Sequence, residues 1–272
     1  MLAARFAIAC TVIASASALV SGSPPETEHL KVQLLSDSSS ATPGRPLWVG
    51  LYFEVEKQWH IYWTNPGDSG EPPRVTWNLP DGFQAGEIQW PAPARLGSGS
   101  VVDYGYEEPV LLPIEVRPPA KARLGSTATL SAKVTWLVCR DICVPGKADL
   151  TLSLPVRATP SLPSAWHALF EATRSHTPRP MPAGWKANAV SEKDQFVLTI
   201  HGASATTALF FPLVEDQIDN AAPQEFNAVK GGMRLTLKKS DRLLKAPETL
   251  DGVLEVSSGR AYVVSAPVAS PR

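Results

Sequence analysis

The chain predicts an all-β protein made of two β-sandwich domains joined by a short helical connector. Proline is abundant, at 26 residues. The runs between prolines are short and alternate apolar with polar, as in Leu47-Trp-Val-Gly-Leu-Tyr-Phe-Glu-Val and Val253-Leu-Glu-Val. Helical spacing is confined to one segment. Short strands between turn signals suit sandwiches, whereas an α/β fold needs long amphipathic helices between its strands.

The first domain spans 29–160, with strands predicted near 32–35, 47–55, 74–77, 111–116, 128–138 and 148–155. Val144-Pro-Gly-Lys147 reads as the turn between the last two. The helix is predicted over 164–174, where Trp166, Leu169, Phe170 and Thr173 recur at helical spacing after Pro163. A breaker stretch over 177–182 ends it, which makes 161–182 the connector. The second domain covers 183–268, with strands near 195–200, 208–211, 234–237 and 261–264. It has no cysteine and no clustered histidine or carboxylate motif, so it reads as a scaffold.

Arg5 followed by the apolar run 6–20, with small residues at Ala14, Ala16, Ala18 and Gly22, reads as a cleaved secretory signal over 1–22. Thr11, Ser15 and Ser17 interrupt the run, and a spanning helix takes roughly 20 predominantly apolar residues. An uncleaved anchor is the alternative. Cys10 is expected to leave with the signal. No later stretch has transmembrane length, so the mature chain is expected to be soluble. With 25 basic and 26 acidic side chains and no Lys/Arg cluster, there is no footprint for nucleic acid.

Cys139 and Cys143 remain, in Trp136-Leu-Val-Cys-Arg-Asp-Ile-Cys-Val-Pro-Gly. Export places them where a disulfide forms and persists unless something reduces it. The entropy that a disulfide removes from the unfolded chain grows with its loop, and a loop this short contributes only about 2 kcal/mol. Such a bond suits being made and broken. The alternation of Val134, Trp136 and Val138 puts both sulfurs at the end of a hairpin, near a surface. Three readings stand: a structural disulfide in a binding module, a redox pair, or a copper(I) site using two soft thiolates. A closed zinc site is disfavoured, since it wants four ligands and the histidines are scattered at 29, 60, 167, 176 and 201. Arg140 favours thiolate and Asp141 opposes it.

The aromatic tract Trp59-His-Ile-Tyr-Trp-Thr-Asn-Pro-Gly-Asp has two readings, a binding platform or a sandwich core. The core is preferred, with Trp59, Tyr62, Trp63 and Trp77 inside and Asn65-Pro-Gly-Asp68 as a tight turn. His60 is expected to be a hydrogen-bonded residue rather than a ligand. The segment Val102-Asp-Tyr-Gly-Tyr-Glu-Glu108 reads as a loop carrying tyrosines and acids.

Taken together, Trp59-His-Ile-Tyr-Trp-Thr-Asn-Pro-Gly-Asp-Ser-Gly, Trp77-Asn-Leu-Pro-Asp-Gly, Ile88-Gln-Trp-Pro-Ala-Pro, Asp103-Tyr-Gly-Tyr and the cysteine segment resemble the periplasmic N-terminal domain of the DsbD family, in its ScsB-like branch. The second half, through Leu209-Phe-Phe-Pro and Tyr262-Val-Val, resembles the region before the membrane domain in those longer proteins. The resemblance implies an immunoglobulin-like fold and a cysteine pair that takes electrons from a membrane-embedded thiol reductant and passes them to periplasmic disulfide proteins. It implies Cys143 as the exchanging thiol and Cys139 as the resolving one, with Asp103, Tyr104, Tyr106 and Glu107 as cap and docking loop. No cofactor is implied, because the cysteines hold the electrons. Two departures stand out: three residues separate the cysteines where the family has five, and the family's cap phenylalanine is missing, which leaves Tyr104 as the expected shield. The chain also stops at Arg272, so the electron source is expected to be another polypeptide unless the sequence is a fragment.

Overall fold

The computed structural model describes residues 26–270 apart from 98 and 258; the expected signal segment and Cys10 lie outside the described residues. Eleven strands precede the helix: β1 (Glu26–Thr27), β2 (Leu30–Ser36), β3 (Leu47–Val55), β4 (Ile61–Gly67), β5 (Arg74–Asn78), β6 (Gln84–Ile88), β7 (Ala94–Leu96), β8 (Asp103–Tyr106), β9 (Val110–Arg117), β10 (Thr127–Cys139) and β11 (Cys143–Pro155). After α1 (His167–His176) come β12 (Arg179–Pro180), β13 (Lys186–Ser191), β14 (Gln195–His201), β15 (Ala208–Pro212), β16 (Glu225–Val229), β17 (Gly232–Lys238), β18 (Thr249–Val256) and β19 (Arg260–Ala269). The protein is all-β, with one helix among the described residues.

In the first half, one layer is the sheet β1-β2-β3-β9-β6 and the facing layer is β11-β10-β5. Period-two alternation aims Val49, Leu51 and Phe53 of β3 at Leu130, Val134, Trp136 and Val138 of β10, all in one buried cluster. A third small sheet, β4-β8-β7, lies against the same core through Ile61, Trp63 and Tyr104.

The helix starts later than predicted because Ser164 is engaged elsewhere. Its hydroxyl donates to the Ser36 carbonyl at 2.5 Å and accepts from the Trp166 N–H at 3.0 Å, so the first helical residue is His167. Phe170 packs on Leu35 and Leu111, covering the outer face of the five-stranded sheet. This second buried face explains why consecutive residues Leu111 and Leu112 are both buried. Asp37 fastens the helix by accepting from His167 Nδ1 and from Arg174, each at 2.5 Å.

The second half is an eight-stranded sheet ordered β15-β18-β19-β13-β14-β17-β16, with β12 added beside β19. It bends around its own core of Phe196, Leu198, Phe210, Leu235, Leu254 and Val264. The long strand β19 makes the bend, pairing with β18 over most of its length and with β13 only at Val268 and Ala269. The halves are not insulated from each other: Phe211, Val253 and Ala261 belong to the first core.

Three local expectations are corrected. Val144-Pro-Gly-Lys147 is not a turn but the start of β11, which pairs residue for residue with β10 from Thr127↔Pro155 to Cys139↔Cys143. Asn65-Pro-Gly-Asp68 is mostly strand, since β4 runs to Gly67. The segment expected as an exposed loop contains β8, all four of whose residues are buried, paired with β4 on one side and β7 on the other.

Candidate functional site

The β10–β11 hairpin sets the sulfur positions. Proline is tolerated at 145 because β11 is the edge of its sheet and need not donate on the open side. Glycine is required at 146, where a Cβ would lie 2.3 Å from Cε2 of Trp136. The turn is therefore the cysteine loop itself, Arg140-Asp-Ile142, closed by the Cys139–Cys143 disulfide with Cα atoms 4.1 Å apart.

The two sulfurs have unequal surroundings. Cys139 is 2% exposed and is held on its outer side by His60, which donates its N–H to the Cys139 carbonyl at 2.9 Å and accepts from the Cys139 N–H at 3.0 Å. Cys143 is exposed, next to Ile142 at 67% exposure. Arg140 lies with its guanidinium carbon 5.2 Å from the Trp59 ring centroid, and Trp59 stacks on His29 at 3.7 Å. Arg140 also reaches Asp141 at 2.9 Å, so the loop's two charges are paired locally.

Behind Cys143 is a polar shelf. The Tyr62 hydroxyl sits 3.7 Å from Cys143 Sγ, and the ring is otherwise buried. Gly70, at φ +82°, lies flat on that ring; a Cβ there would fall 2.1 Å from Tyr62 Cζ. Asp103 accepts from the Ser69 N–H at 2.9 Å and from its hydroxyl at 3.0 Å. His60 packs edge-on against Tyr62 with centroids 5.1 Å apart, and its Nε2 is 3.9 Å from Asp103 Oδ2. The hydrogen bonds of His60 do not come from its Nε2, which is buried without a partner. The backbone of His60 carries the bonds instead.

Burial dominates the electrostatics of the shelf. It lowers the His60 pKa, with Asp103 and then Glu107 acting against it. It raises the Asp103 pKa, opposed by the Ser69 hydrogen bonds and by His60. It raises the Tyr62 pKa as well, with Ser69 hydrogen bonding opposing and Asp103 adding to the rise. Tyr62 thus stays a neutral hydroxyl that can donate to a thiolate on Cys143.

The predicted site residues are only partly brought together. Cys139, Cys143 and Asp103 share the shelf. Tyr104 does not face the sulfurs; it is 0% exposed, donates to Asn220 Oδ1 at 2.8 Å and meets Phe211 edge-on at 5.3 Å. Tyr106 donates to the Pro91 carbonyl, and Glu107 is exposed. Trp59 and Trp63 lie in the core, as the core reading expects, with Trp77 packed against it. Sequence reasoning missed Ser69, Gly70 and the sulfur contact of Tyr62. The available signal was the alternation of His60 and Tyr62, which puts both on one face of an extended segment.

These features define a class of protein, a β-sandwich domain that presents a short disulfide at a hairpin tip with one sulfur facing solvent. Residues 31–155 match the family described as thiol:disulfide interchange protein DsbD, N-terminal, and this part of the chain belongs to that family, with its immunoglobulin-like fold. The fold is similar to the crystal structure of the N-terminal periplasmic domain of ScsB from Proteus mirabilis, with a TM-score of 0.65 at 17% identity over 91% of this chain and 96% of that one. A far weaker likeness, with a TM-score of 0.22 at 6% identity over 88% of this chain and 100% of the other, is to the periplasmic chaperone SfaE. Among curated proteins there is no significant match. No helix among the described residues is long and apolar enough to cross a membrane.

Proposed function

We propose that the chain is a periplasmic protein-disulfide reductase that relays electrons from a membrane thiol reductant to periplasmic disulfide proteins through Cys139 and Cys143. The observation that carries this reading is the asymmetry of the pair, with Cys143 exposed and Cys139 2% exposed. In the reduced protein, the Cys143 thiolate attacks one sulfur of the substrate disulfide. A mixed disulfide forms and one substrate thiolate leaves. Cys139, as thiolate, then attacks the Cys143 sulfur, restoring the Cys139–Cys143 bond and releasing the second substrate thiolate. Two electrons pass to the substrate, and the two protons from the cysteines end on the substrate thiols. The membrane reductant recharges the pair by the same steps in reverse.

The test is a Cys139→Ser chain expressed in the periplasm, which is expected to accumulate a mixed disulfide through Cys143 to a protein partner. No adduct, together with a reduction potential below about −300 mV as in inert structural disulfides, would defeat the reading.

A further inference from the structure

We propose that Asn220, in the second half, is a positioning residue for exchange at Cys143, acting through the segments 68–70 and 102–104 on the Tyr62 hydroxyl. This rests on the exchange reading above and assigns the second half a part in it. Asn220 is 6% exposed, and both ends of its amide are used by the first half. Its Nδ2 donates to Asp68 Oδ1 at 2.8 Å, and its Oδ1 accepts from the Tyr104 hydroxyl at 2.8 Å. Its carbonyl accepts from Arg95 at 2.5 Å.

What these bonds hold lies one residue from the shelf. Asp68, the residue before Ser69, is tied to Val102, the residue before Asp103, because Asp68 Oδ2 accepts from the Val102 N–H at 2.7 Å and the Asp68 N–H donates to the Val102 carbonyl at 3.1 Å. With 68, 102 and 104 fixed, Ser69 and Asp103 are brought into their hydrogen bonds and Gly70 is laid on the Tyr62 ring. Tyr62 then has one place for its hydroxyl, beside Cys143 Sγ.

The loop carrying Asn220 is itself braced. Asp219 accepts from the N–H groups of Ala221 and Ala222 at 3.1 Å and from Lys238 at 2.7 Å. Phe211 wedges between the halves, edge-on to both Trp63 and Tyr104. Asn65 Nδ2 adds a bond to the Pro212 carbonyl at 2.8 Å. A buried amide satisfied on both sides by the opposite half is a rigid strut, since losing either bond leaves a polar atom without water.

The test is the pH dependence of Cys143 alkylation by iodoacetamide in the reduced full chain, in a Cys10→Ser/Cys139→Ser background where only Cys143 reacts. The charged and titratable groups around Cys143 and Tyr62 are His60, Asp103, Arg140 and Asp141, with Asp68, Arg95 and Glu107 behind them, and all are kept. Asn220→Ala is expected to raise the midpoint by about one pH unit, which is about tenfold slower alkylation below it. Tyr62→Phe is expected to do the same, and the double variant no more than either one. An unchanged profile in Asn220→Ala, or fully additive effects in the double variant, overturns the proposal. Should Asn220→Ala not fold, Tyr104→Phe removes one hydroxyl from the same strut. It is expected to shift the midpoint in the same direction, and no shift overturns the proposal equally. Alkylation needs no protein partner, so failure of the wild type to exchange with a disulfide protein would sink the function without bearing on Asn220.

Discussion

The phenol of Tyr62 and the sulfur of Cys143 meet at 3.7 Å, one residue buried and the other exposed. This contact joins the hairpin tip to the interior, and it is where a neutral donor reaches the sulfur that solvent also reaches. The Tyr62 ring is held by Gly70 and His60 independently of the hydroxyl, whose other partner is Ser69.

Tyr62→Phe is therefore expected to keep the fold and slow the chemistry. A hydrogen bond to a charged group contributes about 1.5–3 kcal/mol, so reduction of a protein disulfide at pH 7 should slow by about tenfold while the thermal midpoint stays nearly constant. Equal rates for variant and wild type would remove Tyr62 from the chemistry.

The two cysteines are expected to differ sharply when freed singly. In Cys139→Ser, Cys143 should react with a small aromatic disulfide at a rate close to that of an exposed thiol. In Cys143→Ser, Cys139 should be slower by about tenfold or more, since exchange needs access to the sulfur. Each change loses a disulfide worth only about 2 kcal/mol for so short a loop. Equal rates would contradict the assigned order of attack.

Stability should fall on mild acidification, and His60 should account for part of the fall. Its folded pKa is lowered, chiefly by burial, whereas the unfolded imidazole protonates near about 6.5. Below that pH the unfolded chain binds the extra proton first, so stability is present above about 6.5 and is lost as pH drops toward the lowered folded value. Asp103, whose pKa is raised, acts in the opposite sense in the more acidic carboxylate range. Urea midpoints from pH 7.5 to 5.5 should decline less in His60→Gln than in wild type, and identical slopes would refute this.

Gly70→Ala tests whether the site depends on the covering of Tyr62. The φ of +82° is one that an L-residue rarely adopts, and the new methyl would fall on the phenol ring. Left-handed strain alone costs about 1–2 kcal/mol, so the thermal midpoint should drop and Cys143 should lose reactivity with it. A variant that lost stability but kept wild-type thiol chemistry would separate the ring from the sulfur.

Much of the strand framework was legible because its signals are local. The alternation in 47–55 and 128–138 reports one buried face, and both segments are strands, the second extended by one residue at each end. The hairpin that ends at the cysteines was legible for the same reason. Its turn is not legible, because Val-Pro-Gly is turn chemistry locally, while the edge position of β11 and the Trp136 indole over Gly146 make it strand. The segment at 103–106 reads as loop because its tyrosines and acid look polar in isolation. It is strand because the first core and the second half cover it from two sides.

The sequence by itself determined the β architecture, the position of the disulfide at a hairpin tip and the family of the first domain, since each depends on residue types at short, fixed spacing. Only the tertiary structure decided which sulfur faces water, that Tyr62 rather than Tyr104 touches it, and that Asn220 in the second half holds the segments beside it. Those relationships join residues 81, 116 and 152 positions apart. Separations of that size leave no periodicity to read, because they are fixed by how the layers pack and by which buried polar atoms must find partners.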